Sequence, residues 1–412
     1  MRFSDFQLDG RLLRAVEAAG YSETTPIQGA AIPAALRGRD IVGTAQTGTG
    51  KTAAFVLPLL QALLNSPTRP RRVRALIVTP TRELAEQVHS MVRQLSRFTK
   101  VRSATVYGGV GMEPQRRALV AGTDIIVACP GRLLDHMSRG NADLSGVEVL
   151  VLDEADRMLD MGFLPSVRDI VRKTPSRRHT MLFSATFAAE LNELASEVLR
   201  APQRIEIGVA APADTVEHTV YPVYQEQKTD LLLRLLDQTD TESVLIFTRT
   251  KHRADRVAEH IKRSGYSAAV LHSNKSQNER QRALDGFRSG QYQLLVATDI
   301  AARGLDIATI SHVINYDIPS SADDYIHRIG RTGRMTRTGD ALTLVTADDR
   351  DTVRDIERVL GEPLPVGKVD GYVYNGPPIS APVASRAVRP PVKPAQQARG
   401  PARQGRRRRR SA

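Results

Sequence analysis

The sequence predicts an α/β fold of two tandem domains, each a mostly parallel sheet flanked by helices, plus a disordered basic C-terminal tail. Short apolar runs alternate with helix-like segments in two stretches of the chain, and the alternation stops where Pro, Ala, Arg and Gln dominate. A length of 412 residues also exceeds one ordinary core. The predicted boundaries are a first domain at 1–207, a linker at 208–215, a second domain at 216–375 and the tail at 376–412.

Four apolar runs indicate the first sheet. Each is followed by a turn or a polar segment and then by helix-like sequence, as in parallel sheets with crossover helices. Ligands of such sheets bind at the carboxyl ends of the strands, so the residues that follow each run are functional candidates. The runs are 75–78, 125–127, 149–152 and 180–183, and the segments that follow them are 80–83, 129–132, 153–156 and 184–186.

A second set of apolar runs indicates the second sheet. It follows an Ala/Pro/Gly-rich stretch without periodicity, Gly208–Asp214, which is typical of a linker. The second set has no glycine–lysine loop, so this domain is not expected to hold a nucleotide by itself. Its predicted strands are 244–247, 294–297, 312–316 and 341–345.

The positive charge is concentrated in the tail. The net charge is +13, and residues 381–412 contain nine Arg, one Lys and no acidic residue, which leaves about +3 for residues 1–380. Such a tail usually binds polyanions, and its plain alternative is a solubilising segment.

Composition excludes several classes of protein. The single cysteine, Cys129, excludes an intramolecular disulfide framework and a cysteine-rich zinc site, and it fits a reducing compartment. The N-terminal residues lack the apolar stretch of a secretory signal. The longest apolar stretch, Ala53–Leu64, predicts a core helix rather than a membrane span. A cytoplasmic protein without a membrane partner is expected.

The segment Ala45–Thr52 reads Ala-Gln-Thr-Gly-Thr-Gly-Lys-Thr and has the composition of a phosphate-binding loop. Its backbone N–H groups can surround phosphates, Lys51 can meet the β and γ oxygens, and Thr52 can ligate Mg²⁺. Taken alone, such a loop is also compatible with a chance surface turn.

The acidic segment Asp153–Asp156 supplies the complementary carboxylates about 100 residues later. Asp153, at the end of a buried strand, can hold Mg²⁺ largely through water, and Glu154 can orient the attacking water. The alternative is an acidic cluster favoured by a helix dipole. That alternative explains the sign of the charge but not its partnership with Lys51.

Taken in order, these motifs resemble those of the DEAD-box ATP-dependent RNA helicases, two-domain members of helicase superfamily 2. The resemblance covers roughly residues 3–360, and the tail is most similar to the bacterial RhlE-type branch. It implies two RecA-like domains that use ATP and Mg²⁺. It also implies RNA-stimulated ATP hydrolysis, with local unwinding of short RNA duplexes or remodelling of RNA–protein complexes by domain closure.

The segment Gly20–Gln28 resembles the adenine-reading Q motif of that family. Gln28 would pair with the adenine Hoogsteen edge, and Phe3 would stack on the ring, although Phe3 is also compatible with a core anchor. Thr24 replaces the usual proline and is expected to loosen the turn without displacing Gln28. The nucleotide-binding residues implied by the resemblance are Phe3, Tyr21, Gln28, Ala45, Gln46, Thr47, Gly48, Thr49, Gly50, Lys51, Thr52, Asp153, Glu154, Gly304, Asp306, Arg331 and Arg334.

The segment His327–Arg334 resembles the arginine-finger motif of the family. Arg331 and Arg334 would reach the γ-phosphate and, with Lys51 and Glu154, complete the catalytic set. A solvated basic helix face is the alternative. Asp306 would reach the ribose, and Arg303 would join the phosphate cluster. The residues implied to couple hydrolysis to duplex opening are Asp156, Ser184, Thr186 and His327; alone, Ser184 and Thr186 are ordinary caps.

A further set of residues resembles the RNA-gripping motifs, which hold the backbone without reading bases. An aromatic content of 5% without Trp argues against extensive base stacking. Cys129 replaces a threonine and is expected to weaken one phosphate contact, and Ser273–Asn274 replaces Gly-Asp with a modest effect. The implied RNA-binding residues are Pro80, Arg82, Gly108, Gly109, Pro130, Gly131, Arg132, Phe247, Gln277, Arg280 and Thr298.

Two alternatives stay open from the sequence. One is a superfamily 2 translocase that acts on DNA. The Gln28 motif and the Asp-Glu-Ala-Asp sequence argue against it. The other is an ATP-gated RNA clamp or assembly scaffold, which would use the same residues as a helicase. The resemblance suggests ribosome-assembly or RNA-degradation machinery as partners, and no residue distinguishes these.

Overall fold

The computed structural model describes residues 1–45, 49–66, 72–207, 216–239, 242–302, 310–332, 339–369 and 371–372. One compact unit, Met1–Pro377, contains both sheets, and the second unit, Pro378–Ala412, lies outside the described residues. We call residues 1–207 the first lobe and residues 216–372 the second lobe. The predicted linker at 208–215 and the predicted tail at 376–412 also lie outside the described residues.

The first lobe is built on a seven-stranded sheet in the order β3-β4-β2-β5-β6-β1-β7, and all of its strand pairings are parallel. Its strands are β1 Ile41–Thr44, β2 Ala75–Val78, β3 Ser103–Val106, β4 Ile125–Ala128, β5 Val149–Leu152, β6 His179–Ser184 and β7 Gln203–Glu206. Its helices are α1 Gly10–Ala18, α2 Pro26–Leu36, α3 Lys51–Asn65, α4 Arg82–Leu95, α5 Met112–Val120, α6 Pro130–Ser138, α7 Ala155–Asp160, α8 Leu164–Arg172 and α9 Ala189–Val198.

The second lobe repeats this architecture with a six-stranded parallel sheet in the order β10-β11-β9-β12-β13-β8. Its strands are β8 Val216–Pro222, β9 Val244–Phe247, β10 Ala268–Leu271, β11 Leu294–Ala297, β12 His312–Asn315 and β13 Gly339–Val345. Its helices are α10 Lys228–Gln238, α11 Lys251–Arg263, α12 Gln277–Arg288, α13 Asp299–Ala302, α14 Ala322–Ile329 and α15 Arg350–Leu360.

Both sheets are covered on both faces, which is why their central strands are apolar throughout. All four residues of β2, β4 and β5 are buried, and so are those of β9, β11 and β12. Each sheet has one hydrophobic cluster on each face. The predicted fold of two parallel-sheet α/β units is therefore confirmed.

The predicted core helix at 53–64 is also confirmed. It lies within α3, in which eleven of fifteen residues are buried. Among the described residues, no helix combines the length and the apolar character needed to cross a membrane.

Candidate active site

The described part of the phosphate-binding loop joins β1 to α3. Gly50 precedes the helix with a φ of 93°, a left-handed conformation that a side chain would strain. Lys51 is buried, and its Nζ donates a hydrogen bond to the carbonyl oxygen of Ala45 at 2.6 Å. Thr49 and Thr52 are half-buried beside it. Three predicted loop residues, Gln46, Thr47 and Gly48, lie outside the described residues.

Gln28 links the predicted adenine-reading segment directly to this loop. Its Nε2 donates to the carbonyl oxygen of Gly50 at 3.1 Å, and its Oε1 accepts from the backbone N–H of Thr25 at 3.0 Å. A Cβ on Gly50 would lie 2.5 Å from the Gln28 Nε2, so the contact requires glycine at position 50. The amide keeps one N–H and one lone pair for a ligand.

The N-terminal segment packs against the same motif. Phe3 is 3% exposed and stacks on Tyr21 with ring centroids 6.1 Å apart. Thr24 donates to the carbonyl oxygen of Met1 through its N–H at 3.0 Å and through its hydroxyl at 3.1 Å. Thr24 therefore fastens the turn instead of loosening it, because proline has no N–H to donate.

The acidic segment follows β5, which is separated by β6 from β1, the strand that leads into the phosphate loop. Asp153 is 3% exposed, and its Oδ1 accepts from the backbone N–H of Glu154 at 3.1 Å. Burial raises the pKa of the Asp153 carboxyl to about 7, although the nearby positive charge of Lys51 opposes the shift. The Asp153 carboxylate and the Thr52 hydroxyl are oxygen donors of the kind that Mg²⁺ binds. The positive charge of Lys51 and the N-terminus of α3 suit phosphate groups instead.

Asp156 joins the end of β5 to the end of β6. Its Oδ2 accepts from the backbone N–H groups of Ala185 at 2.9 Å and Thr186 at 3.0 Å. In return, the Ser184 hydroxyl accepts from the Asp156 N–H at 3.1 Å. Since Ala45 N–H donates to the Ser184 carbonyl at 3.1 Å, this contact also reaches the start of the phosphate loop.

Arg328 organises the carboxyl ends of three strands in the second lobe. It forms a bidentate ion pair with Asp299 at 2.6 and 2.7 Å and donates to Asn315 Oδ1 at 2.9 Å. Its guanidinium also lies 4.9 Å from the centroid of the Phe247 ring. The arrangement fixes α14, whose continuation carries Arg331.

His327 and the buried Arg331 line a small cavity beside Arg328. The bridge from His327 to Asp156 and Ser184 stays a prediction. The predicted residues Gly304, Asp306 and Arg334, and also Arg303, lie outside the described residues.

Two polar contacts join the lobes. Arg82 Nη1 donates to Gln277 Oε1 at 3.1 Å, and Arg280 forms an ion pair with Glu83 at 2.9 Å. Three predicted RNA-binding side chains are therefore engaged across the lobe boundary in this structure. Arg82 also packs on Gly109, where a Cβ would lie 1.9 Å from its Nη1.

The other predicted RNA-binding residues are divided between surface and core. Arg132 donates to the carbonyl oxygen of Val110 at 3.0 Å, which places it near Gly108 and Gly109. Gly131 has open space around it, and Thr298 is half-buried. Pro80, Pro130 and Phe247 are buried, so any RNA contact at Phe247 would have to involve its backbone.

The two departures in the predicted RNA-binding motifs lie in different surroundings, because Cys129 is half-buried and Ser273–Asn274 is exposed. Burial raises the pKa of the Cys129 thiol to about 12, so the side chain stays a neutral thiol. Asn274 accepts from Lys251 Nζ at 3.0 Å, and His272 contacts Asp255 at 3.0 Å.

Sequence reasoning did not assign a role to Arg328, Glu83 or Arg157. The first two make the contacts described above, and Arg157 forms an ion pair with Glu154 at 3.2 Å. All three lie inside or next to segments that the sequence predicted to be functional, but only the fold identifies their partners.

Comparisons with known proteins agree with this geometry. The family model for DEAD/DEAH box helicases matches residues 25–194, and the model for the helicase conserved C-terminal domain matches residues 227–336. The Dbp5 structure of Saccharomyces cerevisiae bound to RNA and ADP BeF3 has a TM-score of 0.82 to this chain at 31% identity, covering 90% of this chain and 96% of that one.

Two relatives show the range of lengths. The DEAD-box ATP-dependent RNA helicase 28 of Oryza sativa subsp. japonica is 45% identical over 88% of this chain, which spans only 46% of that protein. The ATP-dependent RNA helicase RhlB of Pseudomonas syringae pv. tomato is 43% identical over 87% of this chain and 93% of its own length. The resemblance to the RhlE-type branch stays a prediction. This chain belongs to the DEAD-box ATP-dependent RNA helicases.

Proposed function

We propose that this helicase hydrolyses ATP in response to RNA and opens short RNA duplexes, or remodels RNA–protein complexes, by closing its two lobes. The observation that carries the proposal is the division of the site. Lys51, Asp153 and Glu154 lie on the first lobe and Arg331 on the second, while Arg82–Gln277 and Glu83–Arg280 join the lobes. A complete set of catalytic residues then exists only when the lobes are together.

The first lobe would bind the nucleotide. Gln28 would use its remaining N–H and lone pair on the adenine edge, and Phe3 and Tyr21 would pack near the ring. Lys51 would exchange its bond to Ala45 for the phosphate oxygens. Thr52 and Asp153 would hold Mg²⁺, which neutralises charge on the phosphates when bound.

Hydrolysis would need groups from both lobes. Glu154 would position the attacking water and accept its proton. Arg331, together with Arg334, would stabilise negative charge that develops on the γ-phosphate, as arginine fingers do. Because Arg331 belongs to the second lobe, hydrolysis would be slow in an open arrangement.

The closed lobes would also bind RNA, through residues of both lobes that are separate from the proposed nucleotide site. Arg82, Arg132, Thr298 and the glycine pair Gly108–Gly109 would contact the RNA backbone, and such contacts would give binding without sequence preference. Asp156 would pass lobe movement to the end of β6 through its bonds to Ala185 and Thr186. The Dbp5 structure with RNA and ADP BeF3 supports this arrangement by its similarity across both lobes.

We further propose that the protein acts in a bacterial cytoplasm, where ribosome-assembly or RNA-degradation machinery are candidate partners. The relatives named RhlB support a bacterial setting.

Steady-state hydrolysis of MgATP without nucleic acid, with single-stranded RNA and with DNA of the same sequence tests the proposal. We expect stimulation by RNA alone, and loss of hydrolysis in the Glu154→Gln variant. Equal stimulation by DNA would favour a translocase. Stimulation by RNA without strand release from a short duplex, and with RNA retained while nucleotide is trapped, would favour an RNA clamp.

A further inference from the structure

The carboxylate that we propose positions the attacking water is one partner of a buried ion pair. Arg157 Nη1 is 3.2 Å from Glu154 Oε2, and the two side chains are only 6% and 8% exposed. A buried charge is costly unless a partner compensates it, so each of these groups depends on the other. The pair is thus a structural constraint on Glu154 and not an exposed surface contact.

The backbone of Glu154 is constrained as well. Glu154 has a φ of 52°, a left-handed conformation that only one other non-glycine residue adopts in the described part of the chain. Such a conformation persists where the surrounding structure holds it in place. With its N–H bound to Asp153 Oδ1 and its carboxylate bound to Arg157, Glu154 is held at both ends.

Arg157 also lies near the residues that join the lobes. Burial is the main cause of the raised pKa of the Cys129 thiol, and the charges of Glu83, Arg82 and Arg157 also act on this half-buried group. Arg82 and Glu83 are the first-lobe partners of Gln277 and Arg280. Arg157 therefore lies near both the proposed water-positioning carboxylate and the contact between the lobes.

We propose that Arg157 is a positioning residue for hydrolysis, which fixes the Glu154 carboxylate in the orientation needed for the attacking water. The inference rests on the role of Glu154 in the proposed function. A correctly oriented group on a rigid support reacts far faster than a mobile one, and small displacements cost large factors in rate. Arg157 contributes to the rate through Glu154, without touching the nucleotide.

The first test compares Arg157→Met and Arg157→Lys by RNA-stimulated hydrolysis. We expect Arg157→Met to lower kcat roughly 100-fold while the KM for ATP changes less than about threefold. Arg157→Lys keeps the charge, and its kcat is expected to be about tenfold higher than that of Arg157→Met. Arg172→Met is the matched control, because Arg172 forms an ion pair of the same spacing with Asp169 but on the exposed surface.

A second test uses readouts other than activity. In the Glu154→Gln background, Arg157→Met is expected to lower the thermal midpoint less than it does alone, because no buried carboxylate is then left unpaired. Affinities for a fluorescent ATP analogue and for RNA in the presence of ADP–BeF3 are expected to be unchanged by Arg157→Met. These measurements separate positioning from a general loss of structure.

The outcomes distinguish this inference from the proposed function. Full kcat in Arg157→Met, faster RNA-independent hydrolysis, or equal thermal penalties in both backgrounds would overturn the positioning role. A fully active Glu154→Gln variant would instead overturn the catalytic role of Glu154 itself. If Arg157→Met does not fold, the kcat of Arg157→Lys and the thermal comparison of Arg157→Lys in both backgrounds still decide the question.

Discussion

The first lobe carries the proposed nucleotide site at the carboxyl ends of its strands, whereas the second lobe carries an arginine cluster at the same ends. In the first lobe, β1 leads to Lys51 and β5 to the buried Asp153. In the second lobe, the ends of β9, β11 and β12 converge on Arg328, which makes a bidentate contact with Asp299.

The difference shows how one architecture is divided between two tasks. Both sheets are parallel, are buried on both faces and share one strand order apart from the extra edge strand β7, so packing and topology do not explain the two tasks. The distinction lies in a few residues after each strand. In the proposed function, the Asp153 carboxylate would hold a cation and Arg331 would meet phosphate, so the two lobes would complement each other across a bound nucleotide.

The largest expected effect comes from removing the second lobe's contribution. Arg331→Ala should lower RNA-stimulated hydrolysis by about 10³-fold or more, because arginine fingers stabilise charge that exists only in the transition state. Binding of ATP by the first lobe should be nearly unchanged. The check is kcat together with the affinity for a fluorescent nucleotide; near-normal kcat would show that the first lobe suffices.

The next effect concerns the contact between the lobes. Arg280→Glu would place two carboxylates together at the Glu83 contact and should reduce RNA-stimulated hydrolysis by about tenfold. Combining it with Glu83→Arg restores opposite charges and should recover part of the rate. Kinetics of both single variants and the double variant check this. No recovery in the double variant would argue that the pair does not act in closure.

A pH effect is expected at Asp153 in the first lobe. Because the pKa of folded Asp153 is raised to about 7, folding is penalised increasingly between pH 4 and pH 7 and fully above that range. Asp153→Asn should therefore stabilise the nucleotide-free, metal-free protein at pH 8 by up to a few kcal/mol, and little at pH 4.5. Thermal midpoints across pH check the sign; a gain confined to low pH would contradict it.

The smallest effect tests whether the lobes alone account for RNA affinity. Deleting residues 381–412 removes ten positive charges, so RNA binding should weaken and its dependence on salt should flatten. Hydrolysis at saturating RNA should change little, since neither lobe loses a catalytic group. Affinities at several salt concentrations give the slope, and an unchanged slope would mean that the tail does not contact RNA.

The apolar runs predicted the central strands of both sheets, and the strands that they did not predict lie mainly at the sheet edges. The strands at 75–78, 149–152 and 244–247 appear as apolar runs in the sequence because all of their residues are buried. The edge strand β7, Gln203–Glu206, buries only Ile205 and therefore shows no apolar run. Edge strands expose one side to solvent, which removes the signal that identifies buried strands.

The motifs predicted the residues of the candidate site, but the pairing of its charges required the fold. Lys51 and Asp153 were predicted partners because the chemistry of phosphate binding requires them together. The contact of Glu83 with Arg280 spans almost 200 residues of sequence, and no local pattern indicates it. Thr24 likewise looked like a weakening of the turn, and its two bonds to Met1 appear only in the folded structure.

Linked binding of nucleotide and RNA tests the division of labour between the lobes most directly. The affinity for a fluorescent single-stranded RNA would be measured with and without ADP–BeF3, and the affinity for the nucleotide with and without RNA. If both ligands favour the closed arrangement, each should raise the affinity of the other by the same factor, of about tenfold or more. Affinities for RNA that do not depend on the nucleotide would contradict closure as the link between the two lobes.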